Sequence, residues 1–240
     1  MTSFLGSIFK DKSIVFYIIL INVALFAIFN LYILFSCSGG ECASAESVFN
    51  SIALKPGNLI HGMYIWTLVT HMFMHGSFLH LFVNMFALYS MGGLCEKIVG
   101  RKRFAWFYLI SGILAGLFSV IVSYYFANGL AERIGLAERI FGGGDVFMVG
   151  ASGAIFGIAG LFMTLIPKAR FSIIFLPFFS LPGYIMVPFV LFLTWILSIL
   201  FNWPVGNVAH LGGLVCGIVY GKYLDEKYKK RLYVIRRYIR

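Results

Sequence analysis

Charge is what this 240-residue sequence has least of: 12% of it is Asp, Glu, Lys or Arg, and only 9 residues are acidic. A soluble domain carries about 25% charged residues, so a water-soluble globular domain is excluded. A disordered chain is excluded too, because that state needs low hydrophobicity and high charge. Four cysteines are too few for a disulfide scaffold, and no Cys/His spacing matches a zinc site. What the sequence does have is apolar surface, at 60% hydrophobic, with a net charge of +10.

The apolar residues come in long charge-free intervals: 13–40, 56–95, 104–131, 146–167 and 171–221. A spanning helix needs about 20 apolar residues. The first, third and fourth intervals each hold one. In the second, Pro56, Gly57 and Asn58 interrupt the first half, so the span is read from about Gly76 to Cys95. The fifth is broken by Pro177, Pro182 and Gly183 and again by Asn202, Pro204, Gly206 and Asn207, residues that end helices. It holds spans at about 184–201 and 207–222. The expected fold is therefore an all-α polytopic membrane protein of six transmembrane helices. It divides into a cytoplasmic N-terminus (1–12), a membrane domain (13–222) and a basic cytoplasmic tail (223–240).

With the N-terminus inside, 16 of the 19 Lys and Arg residues fall on the inner side; the outer loops hold only Lys55, Arg133 and Arg139. This asymmetry predicts both termini on the cytoplasmic side. It also explains the basicity without nucleic acid, and the tail 222–240 reads as a segment lying on the anionic inner leaflet. The expected setting is a prokaryotic cell membrane. Residues 13–35 are too long for the apolar core of a cleavable signal and read as the first span. Cys37 and Cys42 share an outer loop where an oxidising compartment permits a bond. GLAERI at 129–134 repeats at once at 135–140, either as a short amphipathic helix or as a duplication in a permissive loop.

Polar side chains are costly in hydrocarbon, and the spans hold few. His80 and Asn84 lie in the outer half of span 2, Ser152 in the first turns of span 4, and His210 in the first turns of span 6. With each helix starting about five residues earlier, all four sit at one depth, roughly 7 Å below the helix starts. Gly150, Gly153 and Gly157 line span 4, and Ala209, Gly213 and Gly217 line span 6. Such stripes let helix backbones approach closely, which would bring the Ser152 hydroxyl to the His210 imidazole, as an activated nucleophile requires. His80 and Asn84, four apart, share a face. They are either a polar pair satisfying each other or donors of an oxyanion hole. No carboxylate lies at that depth, so a Ser/His dyad without an acid is expected, with Asp145 left in the loop.

The strings GASGAIFG at 150–157, AHLGGLVCG at 209–217 and HMFMHGSFLHLFVN at 71–84 resemble the rhomboid family of intramembrane serine proteases, over about residues 13–222. The resemblance implies cleavage of transmembrane-helix substrates near their extracytoplasmic end, with Ser152 as nucleophile and His210 as general base. It implies an oxyanion hole from His80, Asn84 and the Ser152 backbone N–H. The loop 36–70 is implied to be structured and partly embedded, 202–207 to cap the site, and His71 and His75 to be structural. Phe156 stands where the family often stacks a tyrosine on the histidine, and Trp66-Thr67 where it often has Trp-Arg. No cofactor or metal is implied; the partners are transmembrane substrates and the bilayer. Two other readings are a catalytically silent relative that binds transmembrane clients, and a haem- or metal-binding protein using His71, His75, His80 and His210.

Overall fold

A computed structural model describes residues 13–36, 43–127, 145–173, 176–201 and 205–238. Cys37, Cys42, the tandem repeat and residues 202–204 of the 202–207 segment lie outside these residues. Among the described residues four helices are long and apolar enough to cross a membrane: Ile14–Ser36, Phe78–Val99, Arg101–Tyr125 and Gly183–Phe201.

The first helix, α1 (Ile14–Ser36), buries only Val15, Ile18 and Asn22; its other faces point outward, as befits a helix solvated by lipid. The segment after it builds α2 (Ala43–Ile52), α3 (Pro56–Ile60) and α4 (Thr67–Thr70), followed by a tight turn at His71–Phe73. Trp66 and Thr70 tie this loop together. The Trp66 indole donates to the Ser51 carbonyl at 2.7 Å, and the Thr70 hydroxyl donates to that of Ile52 at 2.8 Å.

The second long helix comprises α5 (Phe78–Ala87), a π turn at Leu88–Gly92 and α6 (Gly93–Val99). Gly100, at φ +91°, turns the chain into α7 (Arg101–Val122). Just before that turn Glu96 of α6 is buried, 6% exposed. Its carboxylate accepts from the Ser13 hydroxyl at 2.7 Å and from the backbone N–H groups of Ile14 and Val15 at 3.0 and 3.1 Å. A negative charge on free N–H groups at a helix N-terminus is the favourable sense of the helix dipole. Glu96→Ala is expected to lower the thermal unfolding midpoint in detergent by the equivalent of about 2–4 kcal/mol, because it strands buried donors. Glu96→Gln, which keeps one acceptor, should cost less. An unchanged midpoint in Glu96→Ala would show that the cap contributes nothing.

The centre of the bundle is α8 (Ser152–Leu165), a 14-residue helix with ten residues buried. Against it lies α10 (Asn207–Lys227), which runs unbroken past residue 222. Their glycines face one another. A Cβ on Gly213 would strike the Gly153 carbonyl oxygen, and one on Gly160 would stand 3.1 Å from the Gly217 Cα. No side chain separates the two backbones at these points, as the small-residue stripes predicted. Gly150 precedes α8 in a left-handed conformation, φ +121°, and a Cβ there would meet His80 of α5 rather than α10.

Two further departures concern the chain after α8. Between α8 and α9 (Gly183–Phe201) the chain forms an antiparallel pair, β1 (Arg170–Ile173) and β2 (Leu176–Pro182), with an irregularity at Ser172/Ile173. The structure is thus predominantly rather than entirely α-helical. Pro177 and Pro182, read as helix breakers, are tolerated because a two-stranded pair has only edge strands. The tail forms α11 (Lys229–Tyr238), which folds back onto the bundle. Leu232 is 3% exposed. Arg236 donates to the Leu165 and Thr164 carbonyls at 2.8 and 3.0 Å and pairs with Asp225 at 3.0 Å. A cation on the last carbonyls of α8 is again the favourable sense of the dipole.

Candidate active site

The segment leading into α8 is held by the loop between α1 and α5. Leu54 and Met148 exchange backbone hydrogen bonds of 3.0 and 2.7 Å. The Asp145 carboxylate accepts from the Gly57 N–H at 2.7 Å and pairs with the Lys55 ammonium at 3.2 Å. Gly150 N–H donates to the His71 carbonyl at 2.8 Å. The His71 ring in turn sits 2.7 Å from the Thr67 carbonyl through Nδ1. Residues 146–149 therefore run as an extended arm, not as the first turn of a helix.

At Gly150 the chain turns, and Ser152 opens α8. The sequence placed Ser152 about one turn inside a helix; it stands at the first helical residue. Its backbone N–H is among those that no carbonyl of its own helix can reach, so the serine hydroxyl and a free N–H lie together where the helix dipole favours negative charge.

His210 is the fourth residue of α10, 6% exposed, with its N–H bonded to the Gly206 carbonyl at 2.9 Å. Its Nε2 lies 2.8 Å from Ser152 Oγ across the α8–α10 contact. The Phe156 ring, one turn after Ser152, stacks on the imidazole with centroids 4.4 Å apart and planes 19° from parallel. Nδ1 of His210 is buried with no hydrogen-bond partner among the described residues. Asp145 is engaged with Lys55 and Gly57 instead. With Nε2 accepting from the serine, the ring proton resides on Nδ1.

His80 and Asn84 approach from α5, whose start is capped by the Ser77 hydroxyl accepting from the His80 N–H at 3.2 Å. Both lie against Gly150. A Cβ there would be 2.8 Å from His80 Cε1 and Nε2 and 3.5 Å from Asn84 Nδ2. A side chain at 150 would displace His80, so glycine makes room for that ring here. Helical spacing predicted that His80 and Asn84 share a face. It did not reveal that the Asn84 amide is bonded to His75, at 3.0 Å, because His75 lies in the turn before α5.

A serine hydroxyl against an imidazole, a free N–H at a helix start and two further polar side chains beside the preceding glycine thus lie together in one place. The Rhomboid domain sequence model matches residues 63–227. This chain belongs to the rhomboid family. Among its rhomboid relatives is "Rhomboid protein 1, mitochondrial" of Saccharomyces cerevisiae, 32% identical over 161 residues, covering 66% of this chain and 42% of that protein. "Presenilin-associated rhomboid-like protein, mitochondrial" of Homo sapiens is 29% identical over 155 residues, covering 64% and 36%. "RHOMBOID-like protein 5" of Arabidopsis thaliana is 29% identical over 156 residues, covering 65% and 43%. The chain spans about two fifths of the length of these relatives. Membership makes this rhomboid protein an integral, multi-pass membrane protein. The mitochondrial names disagree with the expectation of a prokaryotic cell membrane.

Proposed function

We propose that this rhomboid protein is an intramembrane serine endopeptidase that cuts transmembrane-helix substrates near their extracytoplasmic end. The observation that carries the reading is the 2.8 Å approach of His210 Nε2 to Ser152 Oγ at the N-terminus of α8. In this reading α1, α5–α6, α7, α8, α9 and α10 are six spans with both termini on the cytoplasmic side, the orientation the basic residues favour. A 14-residue helix is about 21 Å long against a hydrocarbon core of about 30 Å. With α8 anchored at its inner end, where Arg236 caps it, Ser152 lies several ångströms below the outer surface.

The chemistry then runs on this chain's own groups. Ser152 Oγ attacks the substrate carbonyl while His210 Nε2 takes its proton. The oxyanion is held by the Ser152 N–H, His80 and Asn84. The imidazolium returns the proton to the leaving amine, and a water, deprotonated by the same nitrogen, releases the acyl group. Phe156 keeps the imidazole in plane throughout. The test is reconstitution of the purified protein with a single-span substrate. Cleavage into two fragments near the outer end of the substrate's span, lost in Ser152→Ala, is the expected result. No cleavage of several such substrates by folded protein, or cleavage surviving Ser152→Ala, would overturn the reading.

A further inference from the structure

Behind the groups assigned to the oxyanion sits His75, which the chemistry above leaves unused. It is 1% exposed, in the turn just before α5. Its Nε2 is 3.0 Å from Asn84 Nδ2. An amide nitrogen can only donate, so His75 Nε2 accepts and the proton of the neutral ring resides on Nδ1. The same ring meets His80 edge-on, with centroids 5.0 Å apart at 68°.

In this pairing the Asn84 amide nitrogen, not its oxygen, faces His75. Its Nδ2 carries two hydrogens; one goes to His75 and the other stays available. That nitrogen is 3.5 Å from the place a Cβ on Gly150 would occupy, beside the backbone two residues before Ser152. An amide turned end for end would pair its carbonyl oxygen with the other His75 tautomer, protonated on Nε2. It would then present an acceptor, not a donor, toward a forming oxyanion. Only an accepting Nε2 on His75 therefore keeps an amide N–H toward the oxyanion.

We propose that His75 is a positioning residue whose Nε2 holds the Asn84 amide with an N–H facing the oxyanion. The proposal rests on the proteolytic reading above. It predicts that His75 acts through Asn84 and that any side chain with an acceptor at that point can replace it.

His75→Gln, which offers Oε1, and His75→Leu, which offers nothing, test this in the full-length protein with Asn84 intact and with Asn84→Ala. The measurements are kcat and KM on a single-span substrate, with thermal midpoints alongside. With Asn84 intact, His75→Leu should lower kcat on the order of 10–100-fold, the usual cost of losing the partner that orients an active group, and leave KM nearly unchanged. His75→Gln should recover most of that loss. In the Asn84→Ala background the two variants should have the same kcat as their His75 parent, since nothing is left to orient. A Leu loss that persists undiminished without Asn84, or a Gln variant as slow as Leu with an equal fall in midpoint, would overturn the positioning role. Ser152→Ala, run in parallel, keeps the two failures apart. Serine-dependent cleavage with additive losses sinks only the role of His75, whereas cleavage that survives Ser152→Ala sinks the protease reading.

Discussion

Ser152→Ala and His210→Ala are each expected to lower cleavage of a transmembrane substrate by at least about 10⁴-fold, and the double variant by no more than either alone. The reason is that the two side chains act as one unit. The hydroxyl has no useful nucleophilicity until Nε2, 2.8 Å away, takes its proton; the imidazole has no proton to take once the hydroxyl is gone. What remains in each variant is substrate binding and the oxyanion donors, which are untouched. Asn84→Ala should be milder, on the order of 10²–10³-fold, because the Ser152 N–H and His80 still face the oxyanion. Initial rates with purified variants over a range of enzyme concentrations measure all four. Losses for Ser152→Ala and His210→Ala that multiply in the double variant would mean that the two groups act separately. An Asn84→Ala variant as inactive as Ser152→Ala would give Asn84 more than an auxiliary part.

How much of this was legible follows from what each residue's signal depends on. Ser152 and His210 could be paired from the sequence because glycine stripes on two apolar helices have one physical use, the close approach of backbones. The start of α8 could not be read, because Val146, Phe147, Met148 and Val149 are apolar and continue the hydropathy of the helix. What makes them an arm is long-range: the Leu54–Met148 pairing, the Asp145 contacts to Gly57 and Lys55, and the turn at Gly150. Gly150 was for the same reason counted with the packing glycines, although its missing side chain makes room for His80. The β1–β2 pair hid behind prolines that signal only where a helix stops. The tail's basic residues were read as a group for topology, which masked the single Arg236 that caps α8. His75 was read as structural, and its tie to Asn84 was not legible, because periodicity relates residues on one helix and Asn84 lies on the helix that begins after His75.

The other large effect expected is structural. Gly217→Ala adds one methyl group, but that group points into the backbone of α8. It would strike the Gly157 carbonyl oxygen and stand 2.8 Å from the Leu161 nitrogen and 2.9 Å from the Gly157 carbonyl carbon. A flexible side chain could swing aside at little cost; a helix backbone cannot. The two helices must therefore separate, losing the contacts along the whole seam from Gly153 to Gly221. Overpacking against movable side chains costs about 1–3 kcal/mol, and a rigid wall puts this substitution at or above the top of that range. The change is also felt at the site, because the same seam sets the distance between Ser152 and His210. A displacement of about 1 Å at the outer end is enough to break their hydrogen bond and the attack geometry. Gly93→Ala is the matched control: it is also a helical glycine, but a methyl there meets nothing within 4 Å. Gly217→Ala is expected to lower both the thermal midpoint and kcat, and Gly93→Ala to lower neither. Equal behaviour of the two in detergent-solubilised protein would mean that the α8–α10 contact is not what holds the serine against the histidine.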